Sequence, residues 1–252
     1  MVHLAAIVGD PACARQPDLA RQVNLDASLQ MLELAQRAGK RRFIFASTCS
    51  NYGRMADSTE YVDEESELRP ISLYAETKVA VEQAIASHPS QEGFCPTVLR
   101  FATVYGISPR MRFDLTVNEF TMEMLVNKHL VVFGEQFWRP YIHVRDAARA
   151  IAMVLDAPLE KVRSKVFNVG NTSQNYQKGQ LVKLICAQLG DEVEIEHVHK
   201  EEDPRDYRVS FEKIKRELGF HITRTVEDGI REIIDVIRQG LITDFDNPRY
   251  RN

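Results

Sequence analysis

Short, continuously apolar runs alternate along this chain with segments of helical period, and that alternation constrains the fold more than any other feature. Val2–Val8, Arg42–Ser47 (RFIFAS), Thr97–Ala102 (TVLRFA) and Lys165–Val169 are apolar at successive rather than alternate positions. A strand of that kind is covered on both faces, as in a parallel sheet with helices on either side. Between these runs, Leu19–Arg37 places Leu25, Leu29, Leu32 and Ala35 or Gln36 on one stripe, with Gly39 as its stop. Ser72 can cap a helix running to about His88. Further helices are predicted over Asp114–Lys128, Asp146–Leu155, Gln180–Leu189, Phe211–Leu218 and Val226–Arg238. Shorter strands are predicted at Leu130–Phe133, Tyr141–Val144 and Val193–His197. The pattern is that of a doubly wound α/β domain.

Composition narrows the possible partners. With 252 residues and 44% hydrophobic content, the chain can bury a sizeable core. Its formal charge of −4 and pI near 6.0 give no electrostatic case for nucleic acid or an anionic membrane. No apolar run approaches the roughly 18 residues that span a bilayer, and the opening MVHLAAIVGD lacks a basic signal-peptide region. The expectation is a soluble, cytoplasmic protein. Cys13, Cys49, Cys95 and Cys186 are scattered without a Cys-x-x-Cys pair, which fits a reducing compartment.

Two places carry chemistry. In Tyr74-Ala-Glu-Thr-Lys78 a phenol and an ammonium stand one helical turn apart on the same face. A free phenol ionises near pH 10, but a neighbouring ammonium favours the phenolate, so Tyr74 is placed to exchange a proton with a substrate hydroxyl. Taken alone, the pair is better read as a solvated helix face. Upstream, Ser47–Gly53 (STCSNYG) follows a buried strand at the end where ligands bind in open α/β sheets. Thr48 there can hold a substrate oxygen beside Tyr74; the plainer alternative is a Ser/Thr-rich turn.

Seven segments then occur in a fixed order: HLAA (His3–Ala6), FASTCSNYG (Phe45–Gly53), YAETK (Tyr74–Lys78), LRFATVYG (Leu99–Gly106), RPYIHVRDAARAI (Arg139–Ile151), FNVG (Phe167–Gly170) and RELGF (Arg216–Phe220). Together they resemble the extended short-chain dehydrogenase/reductases, the NAD-dependent nucleotide-sugar epimerase/dehydratase family, over essentially the whole chain. The resemblance implies a Rossmann-like cofactor domain, here residues 1–107 and 141–175, and a smaller substrate-binding α+β domain, residues 108–140 and 176–252. It implies Thr48, Tyr74 and Lys78 as the catalytic set. It places His3, Leu4, Ala5, Ala6, Ser47, Tyr74, Lys78 and Val104 along NAD or NADP. Thr48, Asn118, Arg139 and Arg205 would contact a nucleoside-diphosphate sugar, the arginines gripping its phosphates. A homodimer is also implied.

Departures from the family sharpen the expectation. Where its dehydratases carry Asp-Glu after the threonine, this chain has Cys49 and Ser50, so 4,6-dehydration is not expected. Epimerisation or 4-keto-reduction needs only the Tyr/Thr/Lys set and a hydride, and these remain. Cys49 is read as packing. The chain has no Gly-x-x-Gly-x-x-Gly fingerprint: Gly9 follows the first strand alone, and a dinucleotide pyrophosphate needs a glycine-lined helix start. The sequence begins at about the family's fourth strand, so a fragment or mis-started reading frame is expected. Two alternatives stay open: a cofactor-less relative serving as a binding or scaffold protein, and a reductase of a small non-nucleotide carbonyl compound. His197 and His199 give too few converging ligands for a metal, and Trp138 is read as packing, with sugar stacking as the sharper option.

Overall fold

The computed structural model describes residues 1–55, 60–88, 93–190, 192–201 and 206–252. Its elements in chain order begin with β1 (Val2–His3), α1 (Asp10–Arg15), α2 (Pro17–Arg21) and α3 (Ala27–Arg37). They continue through β2 (Arg42–Thr48), α4 (Leu73–Ser87), β3 (Cys95–Phe101), β4 (Thr103–Tyr105), α5 (Thr116–Met122), β5 (His129–Phe133) and β6 (Trp138–His143). The last are α6 (Val144–Asp156), α7 (Leu159–Val162), β7 (Val166–Val169), β8 (Asn175–Gln177), α8 (Lys178–Leu189), β9 (Glu194–Val198), α9 (Glu212–Leu218) and α10 (Val226–Arg238).

A parallel four-stranded sheet in the order β1-β2-β3-β7 forms the centre. Its register explains the continuous apolar runs. Phe43, Phe45 and Val98 face Leu32 and Ala35 of α3 and Val81 and Ile85 of α4. Ile44, Leu99 and Phe167 face the other way, into a core shared with Ala150 and Val154 of α6 and Ile214 of α9. Neighbouring residues on one strand are therefore buried on opposite sides, which is the doubly wound Rossmann-like arrangement. A third core, with Phe113, Val117, Leu181, Ile185, Ile230 and Ile233, lies under α5, α8 and α10. It is flanked by the small sheets β4-β6-β8 and β5-β9. Tyr207–Phe220, although within residues 176–252, contributes Tyr207, Val209, Phe211, Ile214 and Phe220 to the core of the central sheet.

The first strand is shorter than the apolar run Val2–Val8 predicts. Pairing with β2 stops at His3, and the next backbone groups find a side chain instead. Asn24 accepts from the Ile7 N–H (2.8 Å) and donates to the Ile7 carbonyl (2.9 Å), doing for one residue what a neighbouring strand would do. This frees Leu4–Gly9 to run along the end of the sheet. The predicted helix Leu19–Arg37 is continuous but widened into a π-helical turn at Gln22–Asp26, and α1 ahead of it was not anticipated. Gly39 stops α3 at φ 65°, as expected. No helix among the described residues is long and apolar enough to cross a membrane.

Two polar devices hold the layers together. Beneath the sheet's carboxyl end, Glu82 of α4 and Arg100 of β3 form a buried ion pair (2.6 Å). At the start of α6, the buried His143 accepts from the Arg145 N–H at Nδ1 (3.3 Å), and its Nε2 meets Glu232 of α10 at 3.1 Å. An accepting Nδ1 puts the proton on Nε2, which donates to Glu232. Burial pushes the His143 imidazole below its ordinary range despite Glu232 nearby. The unfolded chain then binds the proton more readily, so the stability from this cap is present above about pH 6.5 and lost as pH falls below it. We expect urea unfolding midpoints to drop between pH 7.5 and 5.5, and to drop less in His143→Asn, which still caps the helix but does not titrate.

Candidate functional site

A cleft of about 470 Å³ opens at the carboxyl ends of β2 and β3, the end at which ligands bind in this sheet architecture. Its floor is Ala46, Ser47 and Thr48 from β2, with Phe101 to Val104 beyond β3. Thr48, 8% exposed, ends its strand in extended backbone, and its Oγ1 accepts from the Ser50 N–H (3.1 Å), starting the short turn Cys49–Tyr52. Tyr74 and Lys78 reach the cleft from the first two turns of α4, which Ser72 caps through the Ala75 N–H. The far wall comes from the loop after β4 and from β6, with Arg112, Asp114 and Arg139, and from Tyr207.

The electrostatics of the pair differ from what spacing alone suggests. Burial raises the Tyr74 phenol above the ordinary tyrosine range, and Cys13 and Asp10 push the same way; Arg112 opposes them. Lys78 does not hold this phenol low, which corrects the sequence expectation: its Nζ donates to the Ala46 carbonyl (2.8 Å) and lies 4.6 Å from the Phe45 ring centroid, but 5.9 Å from that of Tyr74. Burial pulls the Lys78 ammonium down to about 8, with Glu82 and Cys13 acting against that fall.

Of the residues singled out from sequence, Leu4, Ala6, Ser47, Thr48, Tyr74, Lys78, Val104 and Arg139 line the cleft together. His3, Ala5 and Asn118 do not. His3 is stacked between Phe43 and Phe45 (6.0 Å each) and bonded to Ser28 Oγ (2.9 Å), so its ring packs behind the wall. Asn118 is 1% exposed, with its amide spent on the Gly106 N–H (3.0 Å) and the Gly106 and Met111 carbonyls, holding the loop that carries Arg112. Arg205 lies outside the described residues. Arg139, 7% exposed, donates to the Trp138 carbonyl (2.6 Å) and stacks over Tyr207 at 5.6 Å. Cys49 is buried with its thiol donating to the Arg100 carbonyl (3.3 Å), and burial pushes it well above the usual thiol range. Trp138 carries the Arg208 guanidinium on its ring (4.5 Å).

Sequence reasoning missed Asp10, Ser50, Arg112, Asp114, Glu119 and Tyr207 in the cleft lining. Arg112 had a weak signal in the Arg-x-Asp spacing. It adopts φ 53°, uncommon for a side-chain-bearing residue, and is clamped to Asp114 by Nε (2.7 Å) and NH2 (3.0 Å). Ser50 and Tyr207 meet across the cleft at 3.4 Å.

The sequence model of the NAD dependent epimerase/dehydratase family matches residues 1–170. The chain belongs to this family. Its members are NAD-dependent enzymes. A UDP-glucuronate 4-epimerase of Thermodesulfobacterium geofontis is 24% identical over 244 residues, 96% of this chain and 73% of the relative. UDP-glucuronic acid decarboxylase 1 of Xenopus tropicalis is 27% identical over 95% of this chain, which spans only 56% of that relative. Among solved structures, UDP-glucose 4-epimerase of Thermotoga maritima with UDP-glucose superposes with a TM-score of 0.83 at 27% identity, covering 96% of this chain and 77% of that one.

In the chain without ligand, we expect a tyrosinate absorbance titration of the wild type minus Tyr74→Phe to reveal a phenol that ionises above the ordinary value of about 10. A Tyr74 midpoint at or below that value would mean that burial does not govern it.

Proposed function

We propose that this chain serves an NAD(P)-dependent epimerase or 4-keto-reductase acting on a nucleoside-diphosphate sugar. The observation that carries the reading is the convergence of Thr48, Tyr74 and Lys78 on one wall of a cleft whose other wall presents Arg139. The residues present suit the nicotinamide-ribose end of a dinucleotide: Leu4 and Ala6 offer small apolar contacts, and Lys78 keeps two N–H donors beyond the one given to Ala46. The helix start after Gly9 does not suit a phosphate, because Asp10 puts a carboxylate in the first turn. When bound, the nicotinamide cofactor supplies the hydride acceptor and donor.

Within that frame the chain's own groups have separate tasks. Thr48 Oγ1 orients the sugar oxygen. Tyr74 OH exchanges its proton with a C4 hydroxyl, and the nearby positive charge it needs for ionisation comes from Arg112 and from bound ligand rather than from Lys78 alone. Arg139 holds phosphate oxygens. Support for a nucleotide-linked rather than small substrate comes from a second chamber of about 360 Å³, lined by Phe120, His129 and Phe133, which shares Thr116, Glu119 and Lys178 with the cleft. Cys49, turned away and protonated, and Ser50 supply no carboxylate pair for dehydration.

The test follows UDP-sugars and NAD by proton NMR of the sugar ring. Tyr74→Phe should lower kcat by about 10²–10⁴-fold with the fold intact. Arg139→Ala should raise KM roughly tenfold or more, the loss of one charge-assisted phosphate contact. An unchanged KM in Arg139→Ala points instead to a small carbonyl substrate, and wild-type rates in Tyr74→Phe would remove Tyr74 as the proton carrier. No cofactor binding and no sugar turnover would favour the binding-protein alternative.

A further inference from the structure

Glu82 has no task in the proton-transfer reading, yet it sits beneath the cleft where four segments meet. It lies one helical turn beyond Lys78 and two beyond Tyr74, so the three share a face of α4. Its Oε1 accepts from Ser47 Oγ at the end of β2 and from Asn51 Nδ2 (2.8 Å) in the turn after Thr48. Its Oε2 accepts from Arg100 Nε (2.9 Å) and NH2 (2.6 Å) on β3. Arg100 goes on to Tyr52 OH (3.0 Å), which donates to Asn168 Oδ1 (2.8 Å) on β7. Glu82 and Arg100 are each 5% exposed.

We propose that Glu82 is a positioning residue for the cleft: it fixes α4 against the ends of β2 and β3, setting Tyr74 and Lys78 relative to Thr48. The ion pair with Arg100 alone would hold the helix to β3. The two bonds at Oε1 do something more specific, since Ser47 and Asn51 flank Thr48 on either side. The charges and rings facing Lys78 make the state of its ammonium a reporter of that placement. From α4 come Glu82 and Tyr74; from α1 the Cys13 thiol; from β1 His3, which burial and Lys78 keep neutral; and from β2 the Phe45 ring. Glu82 is the carboxylate of that set, and it counters the burial that pulls Lys78 down.

The consequence for turnover rests on the proton-transfer reading of Tyr74, whereas the state of Lys78 does not, and the two are measured separately. The pH dependence of Lys78 acetylation by acetic anhydride, followed by mass spectrometry on the folded full chain, gives its midpoint. We expect Glu82→Gln to lower that midpoint by roughly half a pH unit or more, and Glu82→Asp to restore most of it. Because Glu82→Gln leaves the Arg100 guanidinium uncompensated, Glu82→Gln/Arg100→Gln is the companion variant, checked for folding by circular dichroism, with a smaller shift in the same direction expected. With UDP-sugar turnover as second readout, kcat should fall with KM nearly unchanged, and the alkaline limb of the pH profile should move to lower pH. A folded variant with an unmoved Lys78 midpoint overturns the inference. A moved midpoint with no Tyr74-dependent turnover in the wild type leaves Glu82 in place and removes the proposed function.

Discussion

The contact between Glu82 and Arg100 is the constraint on which the working end of this molecule depends. Taking two charges out of water costs several kcal/mol per ion, and proteins recover it only where geometry and further hydrogen bonds are good. Both conditions hold. Every oxygen of the carboxylate is bonded, the guanidinium reaches two partners, and the chain of contacts ends on Asn168 at the far strand of the sheet. Burial works against the Arg100 charge, but bonding and attraction from Glu82 outweigh it and hold the guanidinium more firmly protonated than usual. A hydrophobic replacement could match its stability, but it would leave Ser47 and Asn51 without their shared acceptor. What the pair adds is placement.

Placement matters because the same burial sets the chemistry above it. Desolvation penalises whichever form is charged, so it drives a phenol and an ammonium in opposite directions. Tyr74 rises and Lys78 falls to about 8. The ligand-free cleft therefore keeps the proton on the phenol, and a positive charge brought by a ligand has a large effect because little water is present to screen it. The acid Asp10 at the lip pushes Tyr74 further the same way. A cleft built like this keeps the phenol protonated as long as no positive charge enters beside it.

Much of this was legible in the residues. Continuous apolar runs marked β2, β3 and β7, because helices cover both faces of these strands and successive residues are then mostly apolar. The predicted range Val226–Arg238 and the cap at Ser72 match α10 and α4 to within a residue. Thr48, Tyr74, Lys78 and Arg139 sit on elements whose direction follows from the pattern, so their convergence could be expected. What failed had non-local causes. The end of β1 is decided by Asn24, 17 positions away from Ile7. Asn118 carries the right group but turns it to its own loop, a choice of rotamer and partner that spacing does not record. Sequence likewise gave no sign that Lys78 would bond Ala46 rather than lean on Tyr74. Asp10, Ser50 and Tyr207 reach the cleft from loops, whose paths are set by what they pack against.

The contacts that join the two walls are of a different kind from those behind them. Ser50 and Tyr207 touch at 3.4 Å, and Asn252 spans the mouth, its side chain donating to the Val8 carbonyl (2.5 Å) and its backbone N–H to Asp114 (3.3 Å). Bonds of this sort contribute about 0.5–1.5 kcal/mol between neutral groups and about 1.5–3 kcal/mol to a carboxylate such as Asp114, and a sugar hydroxyl can take over the neutral ones at little net cost. The floor offers no such exchange, since removing one member of the buried pair strands the other charge. The molecule thus combines a floor that cannot adjust with walls whose links are interchangeable with ligand contacts. Under the proposed function, that combination would let a substrate enter without disturbing the alignment of Thr48 with Tyr74.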